Sequence, residues 1–426
     1  MDPHGAPFGG VPSTTAGDLM TPPRAPLRRP RTLVLNHAAH MGGAEWSLLD
    51  VAGHLRSTCH VMLFADGPAR THLERAGVSV QVLSAPAALL SIKRDALRLA
   101  DLRAIPAVAG YIHRIARIAR SFDVVLLNSQ KAFVIGALAA RLAGRPAIWH
   151  QRDLLSAEHF GPIHRRLAVT LANHAVARVI AVSAASAESM RVSGVRADKL
   201  HVVYNGIDPG RFDAVNHDAV RRLRQELGLV GVPLVGLFGR ISPWKGQHVL
   251  VEALRNLPRV HALLVGDAIF GEDAYRDELE VLVKEADLSQ RVHFLGFRDD
   301  VAALMEMTDI IVHTSVAPEP FGRVIVEGML AGKPVVATAA GGATEIVRDG
   351  STGLLVKPGD AEALTGALRR LFADPNLAVS FGAAGRQVAR EEFSLPAMLS
   401  GIEGHINEVA DLRRIACRES PRTECD

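Results

Sequence analysis

The sequence predicts two doubly wound α/β domains that face each other across a cleft, for three reasons. Its 426 residues exceed what one ordinary hydrophobic core holds. Short apolar strands alternate with helical segments along most of the chain, as in parallel sheets covered by helices on both faces. Turn residues from Asn205 to Gly210 interrupt this alternation near the middle of the chain and mark a domain boundary.

The first domain is predicted to run from Thr32 to Asn205. Residues Met1–Arg31 before it contain seven prolines and no periodic apolar pattern, so we expect a disordered leader. The seven predicted strands of the first domain are Thr32–Asn36, His60–Phe64, Val78–Leu83, Val124–Asn128, Ala147–His150, Arg178–Ser183 and His201–Asn205.

The second domain is predicted to span residues 206–395, and residues 396–426 are expected to return a helix to the first domain and end in a polar tail. Its six predicted strands are Leu234–Gly239, Ala262–Gly266, Val292–Phe297, Ile310–Ser315, Pro334–Ala339 and Gly353–Val356. Helices are predicted near residues 361–372, 377–391 and 396–415. Because ligands of open parallel sheets bind at the carboxyl ends of the strands, the cleft is the expected site.

Composition and charge limit the class of protein. The chain is 48% apolar but has no apolar run near the ~20 residues of a membrane span, and it does not open on a signal-peptide pattern. Its three cysteines lack metal-ligand spacing, which favours a reduced cytoplasmic protein. Nucleic acid is not an expected partner.

The charge is unevenly divided. Residues 1–205 contain 24 basic against 13 acidic side chains, a balance of +11, whereas the remainder has 24 against 32, or −8. This division favours contact of the first half with an anionic membrane surface or a phosphate-bearing acceptor. A general preference for arginine is the alternative, since only seven of the 48 basic residues are lysine.

The segment from Glu319 to Ala337 is the richest in groups that can bind a ligand. It follows a predicted strand and begins a helix near Phe321, so backbone N–H groups at Phe321 and Gly322 can face an anion. Glu319 lies where a carboxylate can accept hydrogen bonds from sugar hydroxyls, and Glu327 where it can hold a ribose. Two glutamates eight apart are often solvated charges, but the surrounding proline and glycines favour a site.

Two cations lie at another strand–loop–helix corner. Arg240 and Lys245 flank the sequence Ile-Ser-Pro-Trp, after one predicted strand and before a helix. A guanidinium and an ammonium five residues apart can hold a diphosphate together. The alternative is a solvated loop, yet lysine is rare elsewhere in this chain, so we expect a phosphate-binding corner.

Two smaller motifs lie in the first domain. Gly42 and Gly43 follow the first strand, and paired glycines let a backbone approach phosphate. The pattern is not the Gly-x-Gly-x-x-Gly of dinucleotide-binding proteins, which argues against a nicotinamide dehydrogenase. His150 ends the fifth strand and is predicted to lie in the cleft with Arg152, although an isolated histidine is more often a surface or satisfied core residue.

Together these motifs resemble the retaining glycosyltransferases of the GT-B fold, often called family four. The resemblance extends from Thr32 to about Ile415 and is most specific from Gly239 to Pro358. It rests on the Gly-Gly-Ala-Glu loop, the Asn-Gly-Ile-Asp hinge, Gly-Arg…Lys-Gly, the two glutamates and the stretch that begins at Gly341. It implies two facing Rossmann-like domains and transfer of a hexose from a nucleotide-diphosphate sugar.

The resemblance also implies a role for each candidate residue. Arg240 and Lys245 would bind the diphosphate and stabilise the leaving group, Glu319 would hold the sugar hydroxyls, and His150 would contact the transferred sugar. The other donor contacts that it implies are Gly43 at the phosphates, the backbone of Phe321 and Gly322 at the sugar, Glu327 at the ribose, and Phe297 and Arg298 at the base.

No Asp-x-Asp sequence occurs, so we expect the two fixed cations rather than a metal ion to neutralise the diphosphate. No cofactor is expected besides the donor substrate, a UDP- or GDP-hexose. The family pattern implies front-face transfer, in which the departing phosphate takes the acceptor proton while the protein orients substrates and stabilises charge.

The acceptor is left open. The stretch Lys93–Arg120 carries arginines and apolar residues at helical spacing, as in a helix on an anionic membrane, and an ordinary amphipathic surface helix is the alternative. A lipid-linked saccharide or polysaccharide is favoured narrowly over a soluble natural product, with peripheral attachment to the inner face of the cell membrane. A catalytically silent sugar-nucleotide-binding protein, an epimerase and a phosphorylase are the rival classes.

Overall fold

The structure, a computed structural model, describes residues 28–87, 89, 105–157, 160–269 and 271–419. These residues form two parallel sheets with helices on both faces, so the predicted fold class is confirmed. The predicted leader lies outside the described residues as far as residue 27.

The first sheet has seven parallel strands, which are β1 (Thr32–Asn36), β2 (Cys59–Leu63), β3 (Ser79–Val82), β4 (Val124–Leu127), β5 (Ala147–Gln151), β6 (Arg178–Ala181) and β7 (Leu200–Val202). Their order in the sheet is β3-β2-β1-β4-β5-β6-β7. The helices of this half are α1 (Gly43–His54), α2 (Pro68–Arg75), α3 (Ile105–Ala119), α4 (Gln130–Leu142), α5 (Pro162–His174) and α6 (Ala184–Val192).

The second sheet has six parallel strands, which are β8 (Leu234–Phe238), β9 (His261–Val265), β10 (Val292–Gly296), β11 (Ile310–His313), β12 (Val335–Thr338) and β13 (Gly353–Val356). Their order is β10-β9-β8-β11-β12-β13. The helices are α7 (Gly210–Asp213), α8 (His217–Glu226), α9 (Gln247–Leu254), α10 (Asp273–Glu285), α11 (Val301–Met307), α12 (Arg323–Leu330), α13 (Ala343–Ile346), α14 (Ala361–Ala373), α15 (Pro375–Glu392) and α16 (Leu395–Glu419).

Burial explains why apolar runs identified the strands. Every residue of the central strands β1 and β8 is buried, because helices cover both faces of a parallel sheet. All thirteen predicted strands are present, with ends that differ by at most three residues from those expected. The strand order reverses between β1 and β4 and between β8 and β11, which are the positions where ligands bind in such sheets.

The chain passes between the two sheets twice, and the passages lie side by side. Ile207 donates its N–H to the carbonyl of Phe393 at 2.9 Å, and Leu395 donates to the carbonyl of Ile207 at 3.1 Å. Beyond the second passage, α16 packs its apolar side chains onto the first sheet, where Met398, Ile402 and residues beyond them join the core under α1. The exact domain boundaries remain a prediction.

The stretch proposed for membrane contact is described only from residue 105, and residues 93–104 lie outside the described ranges. Within α3, Tyr111, Ile115 and Ala119 are buried in the core. The carboxyl-terminal turns of α3 therefore pack their apolar side within the protein, whereas Ile105 at its start is exposed, and Arg114 and Arg117 face outward. No helix in the described ranges has both the length and the apolarity that crossing a membrane requires.

Candidate active site

The carboxyl edges of the two sheets meet. Ser183, after β6, donates its hydroxyl to the carbonyl of Pro320 at 2.5 Å, in the loop after β11. Glu345, in α13, accepts the backbone N–H groups of Ala184 at 2.8 Å and Ala185 at 2.6 Å, at the start of α6. The loops that follow strands of one sheet thus touch the loops that follow strands of the other, and the cleft lies between them.

A buried carboxylate, Glu319, is the centre of the site in the second sheet. Its Oε1 accepts hydrogen bonds from Lys245 Nζ at 2.7 Å and His313 Nε2 at 2.8 Å, and a third from the hydroxyl of Ser315. The opposite nitrogen of His313 lies 3.3 Å from the hydroxyl of Thr338, so the ring is held on both sides. The three donors fix the carboxylate in one orientation.

Two glycines bring these loops together. Gly246 has a φ of +69°, and a Cβ atom there would lie 2.1 Å from the carbonyl oxygen of Thr314. Gly341 has a φ of +59°, and its Cβ would lie 2.2 Å from the carbonyl oxygen of Glu319. Only glycine fits such positions without moving the backbone. Lys245 and Glu319 can approach each other because Gly246, next to Lys245, and Gly341, packed against the backbone of Glu319, have no side chain.

The charge state of Glu319 follows from its neighbours. Burial alone would raise the pKa of this carboxyl group, but Lys245 and His313 outweigh burial and hold the pKa well below its ordinary value. Glu319 is therefore ionised at neutral pH. A buried, oriented carboxylate can accept hydrogen bonds from the hydroxyls of a sugar.

Arg240 lies near the indole ring of Trp244, as does Lys245. Its guanidinium carbon lies 5.5 Å from the centre of the Trp244 ring, and Lys245 Nζ lies 4.5 Å from it. Arg240 also forms a 3.5 Å ion pair with Glu272. The two predicted phosphate-binding cations are thus held at one corner, and each pairs with a glutamate, a pairing that the sequence did not predict.

The helix α12 carries the second glutamate of the motif. It begins at Arg323, two residues later than predicted, because Gly322 has a φ of +108° that no helix residue adopts. Phe321 is buried against Tyr204 and Phe393, so its side chain is not available to a ligand. Glu327 lies one turn into the helix, with Oε1 at 3.8 Å from Arg323 Nη2.

A second polar network occupies the carboxyl edge of the first sheet, around the half-buried side chain of Arg152. Its Nε donates to Asn128 Oδ1 at 2.7 Å and its Nη1 to Asn205 Oδ1 at 3.2 Å. Asn128 in turn donates to Asn36 Oδ1 at 3.1 Å, at the end of β1. Burial lowers the pKa of Arg152 to about 9, and the charge of Arg323 acts in the same direction.

His150 faces this network with one ring nitrogen. Its Nδ1 lies 3.2 Å from Arg152 Nη2, and since arginine can only donate, Nδ1 accepts. The proton of the neutral ring is therefore on Nε2, which is buried and has no hydrogen-bond partner among the described residues. Burial, followed by the charge of Arg152, holds the pKa of His150 well below its ordinary value. The ring is a neutral donor with one unused N–H.

The remaining predicted residues lie around the cleft at different distances from these two networks. Gly43 begins α1, and a Cβ on it would lie 3.5 Å from Arg323 Cδ. Phe297 follows the edge strand β10 and is 62% exposed, while Arg298 pairs with Asp300 at 2.7 Å. No hydrogen bond between described residues joins His150 to the Glu319 cluster.

Sequence reasoning missed several residues of both networks. His313 ends β11, and Asn36 and Asn128 stand at the ends of β1 and β4, so polar residues that terminate apolar strands were an available signal. Glu345 gave no such signal, because its role depends on a contact between the two halves. Among the described residues, no three His, Cys, Asp or Glu side chains form a metal-binding group.

Comparison with known families divides the chain in the same way as the two sheets. Residues 41–211 match Glycosyltransferase Family 4, and residues 220–388 match Glycosyl transferases group 1. The chain is 37% identical over 201 residues to the lipopolysaccharide core biosynthesis glycosyltransferase LpsE of Rhizobium meliloti, a match that covers 47% of this chain and 55% of that protein. The chain thus spans about half the length of that relative.

Two further likenesses extend over more of the chain. It is 30% identical over 289 residues to a 2-deoxystreptamine glucosyltransferase of Streptomyces kanamyceticus, which covers 62% of this chain and 71% of that protein. The structure of Anabaena HepE in complex with UDP and glucose has a TM-score of 0.81 and 39% identity, covering 89% of this chain and 99% of that one. Another structure of HepE is in complex with UDP-glucose.

Proposed function

The chain belongs to the group 1 glycosyl transferases, and we propose that it transfers a hexose from UDP- or GDP-hexose to a saccharide acceptor with retention at the anomeric carbon. The observation that carries this proposal is the ionised Glu319, fixed by Lys245 at the carboxyl edge of the second sheet. HepE, which was solved with UDP-glucose, supports a nucleotide sugar as the donor.

Each side chain has a task that suits its chemistry. Lys245 and Arg240 neutralise the diphosphate, and Glu319 accepts hydrogen bonds from the sugar hydroxyls. Glu327 holds the ribose, the backbone at Phe321 and Gly322 approaches the sugar, and Gly43 lies near the phosphates. The exposed ring of Phe297 and the neighbouring Arg298 receive the base.

In the transfer step, the bond between the anomeric carbon and the diphosphate oxygen breaks with its electron pair on oxygen. The acceptor hydroxyl forms the new bond on the same face, and its proton passes to the departing phosphate. Lys245 and Arg240 stabilise the charge that develops on the leaving group. His150, a neutral donor through Nε2, hydrogen-bonds an oxygen of the transferred sugar.

We further propose that no metal ion is needed, because two fixed cations at one corner can do the neutralising usually given to Mg²⁺. The acceptor is proposed to be a lipid-linked saccharide or polysaccharide. LpsE is named for lipopolysaccharide core biosynthesis, which favours this class, while the 2-deoxystreptamine glucosyltransferase keeps a soluble natural product as the alternative.

Peripheral attachment to the inner face of the cell membrane completes the proposal, and the arginines on the outward side of α3 support it. Arg114 and Arg117 of α3 and Arg120 just after it are exposed, while Tyr111, Ile115 and Ala119 are buried. Attraction to anionic lipid would therefore be electrostatic, without insertion of this helix.

The test is release of nucleoside diphosphate from a panel of UDP- and GDP-hexoses, with and without lipid-linked and soluble acceptors. The wild type should release it from one donor, faster with the matching acceptor, and Lys245→Ala should not. Retention is read from the anomeric configuration of the product. Donor binding without release under every condition would identify a catalytically silent binding protein and contradict the proposal.

A further inference from the structure

Three cations near the carboxyl edge of the second sheet, Lys245, Arg240 and Arg323, differ in the partners they have. Lys245 donates to Glu319 at 2.7 Å, and Arg240 pairs with Glu272 at 3.5 Å. The side chain of Arg323 is only 14% exposed, and its Nη1 is buried without a hydrogen-bond partner among the described residues. Its contact with Glu327 is 3.8 Å long, too long for a hydrogen bond.

An unsatisfied buried donor on a charged group is costly, so a fold that keeps one generally gives it a ligand. The neighbours of Arg323 indicate where such a ligand would lie. The side chain extends toward the other half of the protein, with Cδ at 3.5 Å from the position of a Cβ on Gly43. Its positive charge acts on Asp50 of α1 and on Arg152, so Arg323 faces the network of the amino-terminal half.

The order of groups along the chain matches the order of groups in a nucleotide sugar. Arg323 stands four residues after Glu319 and four before Glu327. With the hexose at Glu319 and the ribose at Glu327, the diphosphate that joins them must pass between, where four helical residues span about 6 Å. Phosphate oxygens are strong acceptors for a guanidinium.

We propose that Arg323 is a further donor-binding residue, whose buried Nη1 donates to a phosphate oxygen of the bound nucleotide sugar. The inference rests on the proposed function, since it takes the diphosphate of that donor as its ligand. It also gives a reason for the contact between α12 and the loop at Gly43. A guanidinium seated on that loop brings both halves of the protein to the same phosphate.

A purely structural role for Arg323 makes a different prediction. An arginine that only orients Glu327, or only holds the two halves together, affects the ribose contact or the stability of the fold, and not the diphosphate in particular. Probes that differ only in their phosphates separate these roles. Uridine and guanosine lack phosphate, and UDP and GDP carry two.

The experiment measures calorimetric dissociation constants of the full chain for UDP, GDP, uridine and guanosine. Arg323→Gln should weaken the preferred diphosphate by about 10- to 100-fold and leave the corresponding nucleoside within about 2-fold. Arg323→Lys, which keeps the charge but loses the planar fork, should recover part of the affinity. Arg222→Gln, an exposed position on α8, is the matched control and should behave as wild type. Thermal unfolding of each variant verifies that the fold is kept.

Equal weakening of the nucleoside and the diphosphate, or unchanged affinity for both, would overturn the role of Arg323 alone. If Arg323→Gln does not fold, Arg323→Lys is measured instead. Weaker binding of the diphosphate than in the wild type, with unchanged binding of the nucleoside, supports the inference. Wild-type affinity for both ligands overturns it. Absence of UDP and GDP binding to the wild type would overturn the proposed function and this inference together.

Discussion

In the carboxyl-terminal half of the cleft, one carboxylate gathers its partners largely from its own stretch of chain. His313, Ser315 and Glu319 follow one another through the end of β11 and the next loop, and only Lys245 comes from elsewhere. In the amino-terminal half, the guanidinium of Arg152 is held by Asn128 and Asn205, which lie far apart in sequence. One half is a local motif, and the other is an assembly of strand ends.

The two halves also differ in charge. Glu319 is kept ionised by its cationic neighbours, whereas burial keeps His150 neutral. The first arrangement suits a site that holds a charged diphosphate and orients hydroxyls around it. In the second, His150 offers a neutral N–H beside the guanidinium of Arg152, which suits contact with an uncharged sugar. The difference suggests that the carboxyl-terminal half binds the donor and the amino-terminal half acts on the group transferred.

The largest expected effect is on turnover, when cations of the carboxyl-terminal half of the cleft are replaced. Lys245→Ala and Arg240→Ala should each lower kcat by about 10²-fold or more while the fold survives, because a preorganised charge stabiliser is lost. Lys284→Ala, at an exposed position on α10, is the matched control. Near wild-type kinetics for both variants would contradict the proposal that Arg240 and Lys245 bind the diphosphate.

The next effect concerns the outer surface of the amino-terminal half. Reversing Arg114, Arg117 and Arg120 to glutamate should weaken binding to anionic vesicles by about 10²-fold, since each basic residue near such a surface contributes about 1 kcal/mol. Wild-type binding should also fall with salt, because the Debye length shrinks from about 10 Å at 0.1 M to about 3 Å at 1 M. Co-sedimentation with anionic and neutral vesicles measures both. Equal binding to the two vesicle types, or none, would favour a soluble acceptor.

A smaller expected effect is on the pH dependence of stability, and it tests whether His150 is neutral in the folded protein. Because the pKa of His150 is lowered in the native state, the unfolded chain binds a proton there first as pH falls. The contribution of His150 to the free energy of unfolding is therefore complete above the pKa of the unfolded chain, near ~6.5. Below that pH it declines by at most about 1.4 kcal/mol per pH unit.

His150→Gln removes that dependence. Urea unfolding of wild type and variant between about pH 5 and 8 should show the wild type losing stability relative to the variant only below pH ~6.5. A difference between the two proteins that stays constant over this range would show that His150 titrates normally, and the contrast in charge state between the halves would fail.

The smallest expected effect is that of a chelator. Turnover should persist in excess EDTA if Arg240 and Lys245 do the proposed neutralising that a divalent ion supplies elsewhere. An absolute requirement for added Mg²⁺ or Mn²⁺, restored by titration, would contradict this part of the account.

The same contrast explains how much could be predicted. Apolar runs identified all thirteen strands, most clearly the central ones, whose two faces are both covered. The glutamate motif and the Arg240–Lys245 corner were recognisable because each occupies one local stretch. Their ion pair was not, because Lys245 and Glu319 are 74 residues apart and meet only through the pairing of β8 with β11.

The amino-terminal network was harder still to anticipate. Its asparagines stand at the ends of β1 and β4 and after β7, and their meeting depends on the complete strand order of the first sheet. The tautomer of His150 likewise follows from the position of Arg152, which sequence spacing does not determine. The contact of Glu345 with α6 requires both halves to be folded and joined.

Calorimetric binding of UDP and GDP to wild type, Lys245→Ala and His150→Gln tests the division of labour most directly, because these ligands contain the diphosphate and ribose but no hexose. We predict that Lys245→Ala weakens the preferred diphosphate by about 10-fold or more, since a hydrogen bond to a charged group is lost. His150→Gln should bind it within about 2-fold of wild type, well under the tenfold that 1.4 kcal/mol represents, and should turn over the nucleotide sugar more slowly. Equal loss of diphosphate affinity in the two variants would contradict the account.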